Sequence, residues 1–446
     1  MVKVMGERWH LMYRNKLRSA DEAVELLRDG DAILVPLANG QPRAIGDAIG
    51  RRLRAGGVKD LHWIGGVDVL WMDCFDPELQ DLIIIDSGFV SAATRYGVQQ
   101  GWYTYSANRL GQSIDIIKDH KPGINRGAVA CVVSPMDEHG FFSTGCHADL
   151  PWGAIGTGQF REVILEVNEN MPRTFGNNHI HISEVSAIVE NNVPLFELPE
   201  IPICNEDQLI AGYVLDHIQD GACLQIGIGG MPNAIAKNLR GKKDLGIHSE
   251  MLTDSMVDLY YEGVITCHRK NFNRNKIIGA FALGSKKLYD FVHNNPMVEM
   301  HCTSWVNDPY VIGQNDNMIS VNGTVEVDLS GQAASESLGY VQYSGTGGQL
   351  DFIQGAWRSQ GGKSFLALYA TYTKDGKLHS KIKPTLTPGM FVTASRTEVD
   401  YIVTEFGIAK MKGNSMRVRV QNLVNIAHPD FRDWLMFEAR KMNLTR

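Results

Sequence analysis

The sequence predicts an α/β protein made of two related open α/β halves, and three observations carry that prediction. The first is an internal echo: "RDGDAILVPLANGQPRAIGDAI" (28–49) and "QDGACLQIGIGGMPNAIAKNL" (219–239) both read as helix end, apolar strand, glycine turn, proline and helix. Pro42 matches Pro232 and Gly40 matches Gly230. The second is a set of short β-branched apolar runs suited to buried parallel strands. The third is length, because 446 residues exceed what one ordinary core encloses.

In chain order, "ADEAVELL" (20–27) supplies an amphipathic segment before the first strand of the echo. "DLIIID" (81–86), "AVACVVS" (128–134) and "EVILEVN" (162–168) follow as strands. The seam falls in "VPLFELPEIPICNEDQ" (193–208), which carries three prolines, and divides the chain into domains at 1–195 and 196–446. "LIAGYVLDHI" (209–218) then precedes the second copy of the unit. "NMISVNGTVEVDLSG" (317–331) alternates around Asn322-Gly323 and predicts a hairpin. "DYIVTEFG" (400–407) is a further strand, and two helices separated by Pro429 close the chain, with Ser415 as an N-cap.

Composition narrows the function. The net charge of −7 is spread along the chain without a basic stripe, so nucleic acid is not an expected partner. No stretch reaches 18 uninterrupted apolar residues, and the charged, aromatic start lacks a signal-peptide core, so neither a membrane span nor secretion is expected. The seven cysteines form no CxxC pair and no metal spacing, which predicts free thiols, no metal site and a cytoplasmic location.

Three stretches can carry chemistry. "QIGIGGMPNAI" (225–235) places Gly227, Ile228 and Gly229 between a strand and a helix, where backbone N–H groups face a ligand. Pro232 stands where a dinucleotide fingerprint needs its third glycine, so that motif is not met. "YSGTGGQLDFIQGA" (343–356) sets Gly345, Gly347 and Gly348 before a helix, without the Lys-Ser/Thr of a P-loop. Each loop has a plain alternative as a structural turn or connector. "GIHSEMLTDSMVDLYYEGVIT" (246–266) places Glu250 just outside a strand's carboxyl end, with Thr253 or Asp254 to cap the next helix and Gly263 to end it. Open α/β sheets build ligand sites at such ends, and an ionised carboxylate there can act as a nucleophile. A solvated loop glutamate is the plain alternative.

That last segment resembles the region around the catalytic glutamate of the acetyl-CoA hydrolase/transferase family, especially its 4-hydroxybutyrate and butyrate CoA-transferase branch. The resemblance continues through "VSPMDEHGFFSTG" (133–145), "FALGSKKLYDFVHNNP" (281–296), "VNDPYVIGQNDNMISVN" (306–322), "SGTGGQLDFIQGA" and "TEFGIAKMKGNSMRVRVQNLVNIAHPDFRDWL" (404–435). It implies two Rossmann-like α/β domains with the active site at their interface, the second domain carrying the glutamate. It also implies that Glu250 attacks an acyl-CoA thioester, giving an acyl-glutamyl anhydride and then a glutamyl-CoA thioester, which an incoming carboxylate resolves. The glycine loops then supply oxyanion and CoA contacts through amides at Ile228 or Gly229 and at Gly347 or Gly348. No cofactor is implied beyond coenzyme A itself as substrate. The expected partners are an acyl-CoA donor, a carboxylate acceptor and further copies of the chain.

Two stretches depart from the family pattern: "GWYTYSANRLGQSIDII" (101–117) and "CHADLPWGAIG" (146–156) are more polar and aromatic than small-acyl versions. Tyr105, His147 and Trp152 are therefore assigned to the acyl pocket, with Arg109 and Arg358 as further candidates for a larger or dicarboxylic acyl group. Packing or solvation is the plain alternative for each. An acyl-CoA hydrolase on the same scaffold and a silent CoA-binding protein are the competing functions.

Overall fold

The computed structural model describes residues 2–119, 125–199, 201–227 and 229–446. The chain forms two compact units: Met1–Pro199 with Glu250–Asp254 and Ile278–Val306, and Glu200–Ser249 with Ser255–Ile277 and Asn307–Arg446.

The first unit is organised on a seven-stranded sheet. Its order is Ala187–Glu190, Glu162–Val167, Asn125–Val133, Asp31–Leu34, Leu61–Gly65, Ile83–Ser87 and Thr104–Tyr105, with every pairing parallel. Both faces are buried, and the period of two sorts side chains between them. Ala128, Ala130 and Ile164 face the core shared with helix Arg43–Arg54, whereas Cys131, Val133, Val163 and Leu165 face the core shared with Phe142, Ile180 and Ile182. The sheet's direction of growth reverses between Asp31–Leu34 and Asn125–Val133, and a crevice opens beyond the carboxyl ends of such a pair.

The second unit holds a six-stranded sheet in the order Gly246–Ile247, Cys223–Ile226, Met318–Gly323, Lys363–Ala367, Tyr401–Thr404 and Gly407–Lys410. All its pairings are parallel except the last. Here the growth direction reverses between Cys223–Ile226 and Met318–Gly323. Helices Met416–Asn425 and Pro429–Lys441 pack Leu423 and Leu435 into the core of this unit, with Ser415 and His428 at their N-caps.

Both copies of the echo fold as expected, into Asp31–Leu34 before helix Arg43–Arg54 and Cys223–Ile226 before helix Gly230–Asn238. Two expectations need correction. Asn322-Gly323 is not a hairpin turn: both residues lie in the parallel strand Met318–Gly323, opposite Leu366 and Ala367, and Glu326–Asp328 belongs to a separate small sheet. The chain also does not divide at one seam, because Glu250–Asp254 groups with the first unit. The cause lies in the backbone: Glu250 O accepts the N–H of Ala280 (2.9 Å) and Phe281 (3.1 Å), Ala148 N–H donates to Ala280 O (2.8 Å), and Ala282 N–H donates to Cys146 O (2.7 Å). No linear seam separates partners so far apart in sequence.

Candidate active site

Glu250 is half-buried and immediately precedes strand Met251–Leu252, which pairs in parallel with Phe281–Ala282. Two N–H groups on its carbonyl fix the backbone, so the side chain leaves from a held position rather than from a loose loop. Helix Asp254–Tyr261 follows. Asp254 is already helical and is not the residue before the helix, which is Thr253; the Asp254 carboxylate accepts the N–H (2.8 Å) and hydroxyl (2.6 Å) of Ser285.

The 146–149 segment runs beside this row and ends above the crevice of the first sheet. Asp149 is fully buried. Its Oδ1 accepts the N–H of Leu150 (2.7 Å) and that of Leu37 (3.3 Å), which follows strand Asp31–Leu34. Its carbonyl accepts the N–H and hydroxyl of Thr303 (both 3.0 Å) and the Cys302 thiol (2.9 Å). Its Oδ2 is buried with no hydrogen-bond partner among the described residues. Burial pushes the carboxyl up to about 7, against the two backbone donors, and the negative charge of Glu250 adds to the rise.

His147 is also fully buried. Its Nε2 lies 2.6 Å from Val132 O on strand Asn125–Val133, and burial lowers its pKa to about 4. The ring packs beneath the turn at Gly40, where an added Cβ would collide with it. The ring is neutral at neutral pH. Trp152 is 39% exposed on the short helix Pro151–Gly156, and Tyr105 is half-buried on the edge strand opposite Ser87. Arg109 stands at the N-cap of the turn Leu110–Gln112. Arg358 is exposed in the last turn of helix Gln349–Arg358, in the second unit. The structure thus keeps His147 inside the first unit and sets Tyr105 and Trp152 on separate elements of it.

In the second unit both glycine turns open helices. Gly229, with φ +127° and ψ 177°, is the N-cap of helix Gly230–Asn238, and Gly348 is the N-cap of helix Gln349–Arg358. Gly347 has φ +53°. Gly227 is half-buried with no atom within 4 Å of an added Cβ, Gly345 is buried, and Ile228 lies outside the described residues. Helix N-termini of this kind offer unpaired N–H donors and favour negative charge.

Side chains that the sequence reading passed over hold these turns at the crevice. Gln225, two residues before Gly227, accepts the Ser320 hydroxyl at 2.7 Å and exchanges amide contacts with Asn322 at 3.2 and 3.3 Å. Gln349, directly after Gly348, donates to Gly323 O (2.7 Å) and accepts the Ser335 hydroxyl (2.8 Å). Buried Glu336 accepts the hydroxyls of Thr346 (3.1 Å) and Thr393 (2.9 Å). A glutamine inside "CLQI" and an asparagine at the end of "MISVN" were the available signals, since a polar residue in a buried strand needs a partner.

The construction is that of a two-unit α/β protein, and comparison with known proteins gives it a family. The acetyl-CoA hydrolase/transferase N-terminal domain matches residues 3–197, and the C-terminal domain of the same name matches residues 284–439. The chain is 43% identical over 436 residues to a succinyl-CoA:cyclohexane-1-carboxylate CoA transferase of Geobacter metallireducens, covering 97% of this chain and 96% of that protein. It is 39% identical over 439 residues to a 4-hydroxybutyrate coenzyme A transferase of Clostridium kluyveri, covering 97% and 99%. The crystal structure of RipA from Yersinia pestis superposes with a TM-score of 0.90 at 36% identity, covering 98% and 99%. More distantly, an acetyl-CoA hydrolase of Saccharomyces cerevisiae is 27% identical over 271 residues, 56% of this chain and 48% of that protein. The chain belongs to the acetyl-CoA hydrolase/transferase family, and by class it is a CoA-transferase. Among the described residues no helix is long and apolar enough to cross a membrane.

Proposed function

We propose that the protein moves coenzyme A between an acyl-CoA and a free carboxylate by ping-pong exchange, with Glu250 as the covalent nucleophile. The observation that carries this reading is the backbone-clamped, half-buried Glu250 in a chain similar along almost its whole length to CoA-transferases. A carboxylate oxygen of Glu250 attacks the thioester carbonyl, and the tetrahedral oxyanion collapses to an anhydride with loss of CoA thiolate. The thiolate attacks the glutamyl carbonyl, the first carboxylate leaves, and a glutamyl-CoA thioester remains. An incoming carboxylate runs the same steps in reverse. No proton is consumed, and CoA enters and leaves as substrate without another cofactor. Backbone N–H donors are the groups suited to such oxyanions, and one such donor is worth roughly 3–4 kcal/mol of barrier.

Incubation with acyl-CoA alone, followed by borohydride, tests the reading. Reduction should convert Glu250 to an alcohol and inactivate the enzyme, with peptide mapping placing the change in 246–266. Labelling at another carboxylate, or full exchange by folded Glu250→Ala, would overturn it. The distant similarity to an acetyl-CoA hydrolase favours a second reading, in which water resolves the intermediate. Thiol release without any carboxylate would support it, and a panel of linear, hydroxylated, cyclic and dicarboxylic acids would identify the acceptor.

A further inference from the structure

Asp149 has no part in the exchange as written, yet it is built into the same backbone row as the nucleophile. Ala148 N–H bonds Ala280 O, and Ala280 N–H bonds Glu250 O, so only the Phe281–Ala282 segment separates the two carboxyl-bearing stretches. Five contacts to Oδ1 and the carbonyl pin Asp149, while the second oxygen, Oδ2, is buried and has no hydrogen-bond partner among the described residues. A buried carboxylate left half unpaired is a costly state, and adding a proton to that oxygen relieves it.

Among the described residues, the titratable groups coupled electrostatically to Asp149 include the Cys131 thiol on strand Asn125–Val133, the Cys302 thiol and Glu250. Burial holds both thiols above their usual range, so they stay neutral. Of the three, Glu250 is the one whose negative charge raises the Asp149 carboxyl. In the glutamyl-CoA form Glu250 is a neutral thioester, and the incoming carboxylate brings a negative charge to it; a fixed charge at Asp149 would oppose that approach.

From this geometry we infer that Asp149 is a positioning residue for the transfer, held as the neutral acid so that the site around Glu250 carries a single mobile negative charge. The inference rests on the reading of Glu250 as nucleophile. It adds a pH dependence that the exchange itself, which moves no proton, does not have. Asp149 is neutral below its pKa of about 7 and ionises above it, so kcat/KM for the carboxylate acceptor should fall as pH rises through that value.

The test is the pH profile of kcat/KM for wild type and Asp149→Asn with one acyl-CoA and one acceptor. Asparagine keeps the acceptor for Leu37 and Leu150 and cannot ionise. Wild type should show an alkaline limb beginning near pH 7, approaching a tenfold decline per unit, and Asp149→Asn should lack it whatever its absolute rate. An unchanged limb in Asp149→Asn, or none in wild type, overturns the inference. If Asp149→Asn does not fold, infrared titration of protein labelled with carbon-13 aspartate replaces it. One buried aspartic acid should then ionise at lower pH in Glu250→Gln than in wild type, and identical titrations overturn the coupling. Failure of the nucleophile reading would show separately, as exchange by Glu250→Ala.

Discussion

Gly229 shows how a single residue sets a turn. At φ +127° and ψ 177° it occupies a region that side-chain-bearing residues almost never adopt. Gly227, two residues earlier, has open space around an added Cβ. Gly229→Ala should therefore cost about 1–3 kcal/mol in strain or displace the first N–H groups of helix Gly230–Asn238, with transferase activity falling by about tenfold or more. Gly227→Ala should be far milder; comparing kcat and denaturant midpoint for the pair checks this. His147 teaches the opposite lesson. Its position in a polar, aromatic stretch suggested a pocket, but "CHADLPW" has no periodicity to say which side chain points where. The fold buried His147 and Asp149 and left Trp152 half in solvent.

The elements that frame the second crevice depend on polar residues inside apolar strands. Gln349 joins the start of helix Gln349–Arg358 to the end of strand Met318–Gly323 through Gly323 O, and to Ser335 through its own carbonyl. Gln349→Ala removes both bonds and leaves buried partners, which should cost about 1–3 kcal/mol in urea unfolding. The strands and helices here were readable from sequence: the echo, the apolar runs and the Pro429 break all describe observed elements. The apparent Asn322-Gly323 turn was misread because local turn chemistry cannot reveal that Asn322 is held by Gln225, about a hundred residues away in the chain.

For the whole molecule, buried acids make stability depend on pH. Asp149, at about 7 in the fold, lies above its ordinary value of 3.8. Its stabilising contribution is complete below about pH 4 and is lost as pH rises to about 7, because the unfolded chain ionises first. His147 works in the other direction: its lowered pKa of about 4 favours the fold above about pH 6.5, and that contribution is lost as pH falls toward 4. Asp149→Asn removes the first effect and leaves the second. Its melting temperature relative to wild type should therefore rise between pH 4 and pH 7 and level off above; a constant difference across that range would contradict the assignment. The two-unit organisation was legible in the repeated strand–turn–helix, and the membership of Glu250 was not. That membership depends on hydrogen bonds among residues 146–148, 250 and 280–282, a pairing with no local signature.

The same pairing bears on how the chain is made. The first unit draws on Glu250–Asp254 and Ile278–Val306, so it cannot be complete when Pro199 leaves the ribosome. At ordinary elongation rates the missing pieces arrive roughly 5–20 s later. Until then the seven strands between Asp31 and Glu190 exist without the segments that cover Cys146, Asp149 and Phe175. Glu250 and the strand Met251–Leu252 that follows it are among those late arrivals, so the segment that carries the proposed nucleophile joins the first unit only after most of that unit has been synthesised.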